Sequence, residues 1–235
     1  MQEPIDGPLA AELKNVTRTY GEGASLVRAM DSVDLVIEKG SFMVVAGPSG
    51  SGKSTLLNQV GCLDRPDEGE VFIAGQEVVS LKNKARADLR LNQLGFVFQS
   101  YNLLPVLTAR ENAEFVLELQ GVSSAGRKER IDAIFRDLGI EELANRKPGA
   151  MSGGQQQRVA VARAMAHKPA LVLADEPTAN LDSSTGKALL SMMRRLNEEQ
   201  GITFLISSHD PMVIEGARTL VKMRDGRIEE RVERG

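Results

Sequence analysis

The sequence predicts an α/β fold built on buried parallel strands, and three observations predict it. Short apolar runs such as Phe42–Ala46 and residues 171–174 recur along the chain. Between them, apolar residues return at helical spacing. One such run leads through a glycine-rich loop directly into a helix pattern. Size and composition agree: 235 residues, 42% hydrophobic and 26% charged, can bury a core without disulfides or structural metal.

In chain order, Val33, Leu35 and Ile37 alternate with other residues and stop at Lys39-Gly40, which predicts a strand and a turn. Phe42–Ala46 is the next strand, followed after the glycine loop by a helix from Lys53 to about Leu63. Residues 70–73 form a strand before a turn at Gly75, and residues 95–98 form another that Gln99 closes. Thr108 and Glu111 have capping-box spacing, so a helix starts near Ala109 and runs to Gly121. Ile131, Ile134, Phe135 and Leu138 share a helix face that ends at Gly139, a C-cap. Residues 100–166 therefore read as a mainly helical insertion within one domain spanning 1–235. Residues 171–174 and 202–207 resume the buried strands, separated by a helix with Leu189, Met193 and Leu196 on one face. Asp210-Pro211 starts a last helix, and Asp225-Gly226 turns a hairpin between residues 220–223 and 227–230.

The charge count, 29 Lys+Arg against 32 Asp+Glu, leaves −3 and argues against bulk nucleic-acid binding. Cys62 is the one cysteine, which excludes an internal disulfide and a multi-cysteine zinc site. His167 and His209 are too few for a histidine-rich metal centre, and a reducing cytosol is the compartment expected. Met1–Leu13 carries Glu3, Asp6 and Glu12 where a secretory leader needs an apolar run. Apolar runs of about five residues fall far short of the ~20 that a membrane-crossing helix needs. Work at a membrane would run through a partner. Cys62 reads as core, His167 as helix surface, and Met192 and Met193 as helix packing.

Chemistry concentrates at three places. Gly47-Pro48-Ser49-Gly50-Ser51-Gly52-Lys53-Ser54 fits GxxxxGK[ST], with a strand before it and a helix after it. Its glycines let backbone N–H groups surround phosphate oxygens, and the helix start adds its positive dipole end. Lys53 reaches the β- and γ-phosphates of a nucleoside triphosphate, the Ser54 hydroxyl ligates Mg²⁺, and Thr55 contacts the α-phosphate. Second, the strand at 171–174 ends in Asp175 and Glu176, where open α/β sheets bind ligands. Asp175 would hold Mg²⁺ through water, and Glu176 would polarise an attacking water, because a metal-occupied carboxylate is a poorer proton acceptor. The plainer reading is that both acids cap the next element. Third, Ser152 and Gln155 have capping-box spacing at a helix start whose Gly153 and Gly154 leave the first amides uncovered. That segment is either an anion site or a well-capped helix.

MSGGQQQR (151–158) resembles the LSGGQ signature of ABC ATPases, with Met151 where Leu is usual, a volume-conserving change. Gln99 matches the family's Q-loop glutamine, Asp182 in ANLD its D-loop, His209 its switch histidine, and Tyr20 the aromatic residue that stacks on adenine. The resemblance covers nearly the whole chain. It is greatest to the ATPase subunits of lipoprotein-releasing and macrolide-exporter systems, through GCLDRPDEG (61–69), LGFVFQSYNLLPVLTARENA (94–113) and LADEPTANLD (173–182).

The resemblance implies a P-loop NTPase of the ABC ATPase fold, with a RecA-like core, an antiparallel β subdomain and an inserted helical subdomain. It implies ATP and Mg²⁺, held between two head-to-tail copies. ATP on the loop of one copy is covered by Ser152, Gly153, Gly154 and Gln155 of the other, with Asp182 acting across the interface. Gln99 touches Mg²⁺ or water, and His209 contacts the γ-phosphate and fixes Glu176; without the family match His209 reads as a capping or core histidine. Transmembrane permease subunits would dock between Ser100 and Glu114, with Tyr101, Leu103, Leu104 and Leu107 as exposed contacts or, equally, as subdomain core. That places the chain in the cytoplasm, on the inner face of the membrane. The function implied is the ATP-hydrolysing motor of an exporter or lipoprotein-releasing transporter. The alternative is the ATPase of a non-transport complex that signals across the membrane to extracytoplasmic enzymes. Coiled-coil repair ATPases, tandem translation factors and simple P-loop kinases fit less well, because the long insertions and second cassette are missing and the signature helix is present.

Overall fold

A computed structural model describes residues 9–234, except the side chain of Ala24. Residues 1–8, which carry most of the leader reading of Met1–Leu13, lie outside the described residues. The chain opens with a long antiparallel pair, β1 (Leu9–Tyr20) and β2 (Val27–Glu38), then enters a second sheet with β3 (Phe42–Ala46). After the glycine loop come α1 (Lys53–Val60), β4 (Glu68–Ile73), β5 (Gln76–Glu77), α2 (Asn83–Gln93) and β6 (Leu94–Val97). Three helices, α3 (Ala109–Leu119), α4 (Ser124–Leu138) and α5 (Gly153–Met165), precede β7 (Leu171–Asp175). The chain continues through α6 (Ser183–Gln200), β8 (Phe204–Ser208), α7 (Pro211–Glu215), β9 (Thr219–Arg224) and β10 (Arg227–Glu233).

One sheet is antiparallel in the order β2-β1-β4-β5. The other runs β10-β9-β3-β8-β7-β6, with every neighbour pair parallel except the β9–β10 hairpin. The period-two alternation of side chains divides the core. Phe42, Val44, Val172, Ala174, Phe204 and Ile206 pack on the side of α3 to α6. Met43, Val45, Leu171, Leu173 and Leu205 face α1 and the antiparallel sheet. Burial on both faces explains why these strands read as unbroken apolar runs.

The caps behave as the sequence predicts. Thr108 and Glu111 form a capping box, Gly139 closes α4 in the left-handed region, and Asp210 caps α7 ahead of Pro211. Other boundaries differ. Helix α1 stops at Val60 instead of about Leu63: the Gly61 and Cys62 turn follows, with Cys62 at φ 53. Arg86 and Arg90 both donate to the Cys62 carbonyl at 2.9 Å, which holds that turn. Burial raises the Cys62 thiol to about 11, as befits a core residue. Strand β8 begins at Phe204 instead of Ile202, because Asn197 Nδ2 takes the Ile202 carbonyl.

Among the strands and α-helices, β1, α2 and the two-residue β5 are not read from the sequence. β1 is broken at Asn15 (φ 51), with register shifts between Leu13 and Val16, so its alternation fails in mid-strand. α2 buries only Arg86 and Leu89, too little to make an apolar stripe. His167 is also corrected: it is buried, not on a helix surface. Its Nε2 lies 3.2 Å from the Leu94 carbonyl, and burial lowers its pKa to about 4.

Candidate active site

The phosphate loop hangs from the end of β3, an interior strand of the parallel sheet. Two of its glycines are sterically required. A Cβ on Gly47 would come within 2.3 Å of the Met223 carbonyl, and one on Gly52 (φ +102) within 2.4 Å of the Ala29 carbonyl. The hairpin grips the loop from below, since Gly226 N–H donates to the Ser51 carbonyl at 3.1 Å. Lys53 Nζ folds over the loop, donating to the Gly47 and Pro48 carbonyls at 2.7 and 3.0 Å. Among the described residues it makes no salt bridge to a carboxylate. An ammonium held only by carbonyls beside the open N-terminus of α1 is a fitting receptor for phosphate oxygens.

Above the loop lies a cleft of about 600 Å³. Pro48, Ser49, Gly50, Gly52, Lys53, Ser54 and Thr55 line one side, Gln99, Glu176 and His209 the other, with Val27 and Ala29 at the edge. Gly47 and Ser51 sit beneath it, and Ser51 Oγ is buried without a hydrogen-bond partner. The sites predicted at Gln99, Glu176 and His209 thus converge from three strand ends. A groove of about 750 Å³ beside Ile134, Met165 and Ile202 carries none of the predicted site residues.

At the end of β7 the two acids separate. Asp175 accepts a hydrogen bond from Ser207 Oγ. Glu176 enters the left-handed region (φ 44), so the backbone reverses and its carboxylate points into the cleft. There His209 Nδ1 lies 2.7 Å from Oε1 and Ser208 Oγ donates to Oε2 at 3.1 Å. Ser207 and Ser208 carry no motif in the sequence; two hydroxyls at the end of an apolar strand, directly before the histidine, are the signal. No cluster of three or more His, Cys, Asp or Glu could hold a metal among the described residues. Ser54 and Gln99 line the cleft, whereas Asp175 does not; oxygens of this kind suit Mg²⁺, which keeps its waters and takes phosphate oxygens as further ligands.

The remaining predicted residues do not line this cleft. Tyr20 pairs with Val27 across the hairpin; its hydroxyl donates to Asp64 at 2.8 Å and the Arg18 guanidinium lies 4.7 Å from its ring centre. Asp182 caps α6. It accepts from the Ser184 and Thr185 hydroxyls at 2.6 Å each and from both backbone amides, and these bonds hold its carboxyl far below the usual range. Ser152 and Gln155 form the capping box of α5. Gly153 and Gly154 have a packing reason the sequence did not disclose: a Cβ would meet Tyr101 Oη at 2.6 Å and Thr185 Cγ2 at 2.3 Å. Of the four docking residues, only Leu104 is strongly exposed (41%); Leu103 packs on the core, and the unpredicted Val106 is exposed most (72%).

Residues 30–179 match the ABC transporter family. An uncharacterised ABC transporter ATP-binding protein of Methanocaldococcus jannaschii is 44% identical, over 93% of this chain and 94% of its own length. The macrolide export ATP-binding/permease protein MacB of Syntrophobacter fumaroxidans is 46% identical over 93% of this chain, which spans only 31% of that longer protein. Among solved structures, a dimeric post-hydrolysis ATP-binding cassette bound to ADP and Pi superposes with a TM-score of 0.87, at 43% identity over 96% of this chain and 99% of that one. A family match across well over half the chain, joined by full-length relatives above 40% identity, leads to one conclusion: this chain belongs to the ABC transporter family, as one of its ATP-binding cassettes.

Proposed function

We propose that this chain hydrolyses ATP as the motor subunit of a membrane transporter of the export or lipoprotein-release type, with nucleotide clamped between two copies. One observation carries the reading. Lys53 and the Glu176–His209 pair face each other across one cleft, whereas the helix start at Ser152, Gly153, Gly154 and Gln155 does not line that cleft. A second copy supplies the missing cover. Its α5 N-terminus and dipole then meet the γ-phosphate, so ATP stabilises the closed pair and loss of that phosphate releases it.

Within the site, Lys53 exchanges its two loop carbonyls for β- and γ-phosphate oxygens. Ser54, Gln99 and, through water, Asp175 hold Mg²⁺, which supplies charge neutralisation on the phosphates. Glu176 orients the attacking water and takes its proton, and His209 and Ser208 hold both carboxylate oxygens in place. Thr55 contacts the α-phosphate, Tyr20, the cross-strand neighbour of the cleft residue Val27, contacts the base, and Asp182 acts at the interface while capping α6.

Residues 100–166 act as the helical subdomain of this single nucleotide-binding domain. No helix among the described residues is long and apolar enough to cross a membrane. Permease subunits therefore bring the chain to the cytoplasmic face, docking on the segment between Ser100 and Glu114 through Leu104 and Val106. The permease portion that the MacB-type relatives carry in their own chain favours transport over signalling. Lys53→Ala tests the phosphate contact: removing a charge-assisted set worth about 1.5–3 kcal/mol should weaken ATP binding roughly 10- to 100-fold by calorimetry. Unchanged affinity would overturn the assignment.

A further inference from the structure

Gln99 reaches the cleft from a turn that L residues adopt reluctantly. Two positions on, Tyr101 (φ 60) and Asn102 (φ 50) lie consecutively in the left-handed region. A single side chain spans that turn. Arg163, in the last turn of α5, donates from one Nη to the Tyr101 carbonyl at 2.9 Å and from the other to the Asn102 carbonyl. Its only charged group is committed to backbone, since Arg163 makes no salt bridge among the described residues. The planar fork matches two adjacent carbonyls in a way that an ammonium cannot. At the other end of the same helix, Gly153 lets the Tyr101 hydroxyl approach closely. From the far side, Asn180 Nδ2 donates to the Gln99 carbonyl at 2.9 Å and its own carbonyl lies 3.5 Å from Tyr101 Oη.

We propose that Arg163 is a positioning residue for Gln99: its guanidinium holds the left-handed Tyr101-Asn102 turn and thereby places the Gln99 amide in the nucleotide cleft. The proposal rests on the reading of Gln99 as an ATP-site residue. It makes the signature helix and the Gln99 turn one mechanical unit within the chain, so that a shift of α5 moves Gln99.

The test reads the clamp first without nucleotide. The Tyr101 and Asn102 amides are tied to the Phe98 and Ser100 carbonyls at 3.1 and 2.6 Å, so their hydrogen exchange reports the turn. In Arg163→Ala their exchange should rise about tenfold or more, while β6 and β7 amides keep their protection. ATP turnover of the full chain should fall about tenfold. Asn102→Gly, which accepts positive φ freely, should bring the Arg163→Ala chain back to within about threefold of the parent rate. Should Arg163→Ala fail to fold, Arg163→Lys keeps the stem and charge, and the same exchange increase is expected. Unchanged exchange at Tyr101 and Asn102 overturns the clamp. Faster exchange with unaltered turnover, or a folded double variant that Asn102→Gly does not rescue, overturns the positioning role. Full turnover in Gln99→Ala would instead overturn the site reading, with the exchange data still deciding the clamp.

Discussion

Glu176 is held at both carboxylate oxygens: His209 Nδ1 lies 2.7 Å from Oε1, and Ser208 Oγ lies 3.1 Å from Oε2. With the backbone turned to φ 44, the side chain lines the cleft together with the phosphate loop. Glu176→Gln preserves that shape but cannot accept a proton. Hydrolysis should fall at least ~100-fold with ATP affinity retained. Sedimentation with Mg-ATP should then show a persistent dimer. His209→Ala leaves the base present but unlatched, and turnover should drop roughly 10- to 100-fold.

The close approach of Thr185 Cγ2 to Gly154 separates two roles of that glycine. Gly154→Ala forces a clash that outweighs the better helix propensity of alanine, and the chain should lose about 1–3 kcal/mol in urea unfolding. Thr185→Ser removes the clashing methyl and keeps the hydroxyl that donates to Asp182. The double variant should recover the parent stability. If ATP-driven dimerisation stays impaired in that double variant, the bare backbone also serves the partner's phosphate.

Burial lowers the His167 pKa from 6.5 to about 4, so below about pH 6.5 the unfolded chain binds a proton that the folded chain refuses. Stability should therefore fall as pH drops from 6.5 toward 4, by at most about 3.4 kcal/mol, and level off beneath. His167→Gln should remove this slope when urea midpoints at pH 7.5 and 5 are compared with the parent. Burial pushes the Asp64 and Glu77 carboxyls up, but their hydrogen-bond partners together hold them below their ordinary 3.8 and 4.5, so their stabilisation is lost only at more acidic pH.

Val106 and Leu104 form the exposed part of the proposed docking loop, which Asn112 holds from inside through bonds to the Leu104, Leu107 and Thr108 carbonyls. Val106→Asp should change stability by less than about 0.5 kcal/mol and leave the ATPase of the isolated chain intact. Its co-purification with membrane subunits should be lost. Retention of the complex would move the docking surface elsewhere.

Residue order by itself specifies the parallel strands, the caps and the phosphate loop, because each depends on neighbours a few positions away: Thr108 with Glu111, Ser152 with Gln155, Asp210 with Pro211. It also names Glu176, and the family resemblance adds His209 and its hold on Glu176, though not the atoms through which the two meet. That contact, the Ser207 bond to Asp175, and the Arg163 grip on the turn after Gln99 join residues 32 to 62 positions apart. The same holds for Gly154 against Thr185, whose glycine reads as an open anion site until its neighbour is known. β1 and α2 escape local reading because a bulge at Asn15 breaks one alternation and arginine caps substitute for an apolar stripe in the other. Short-range hydrogen bonding is written into adjacent residues. Steric fit between distant backbones exists only once the chain has closed on itself.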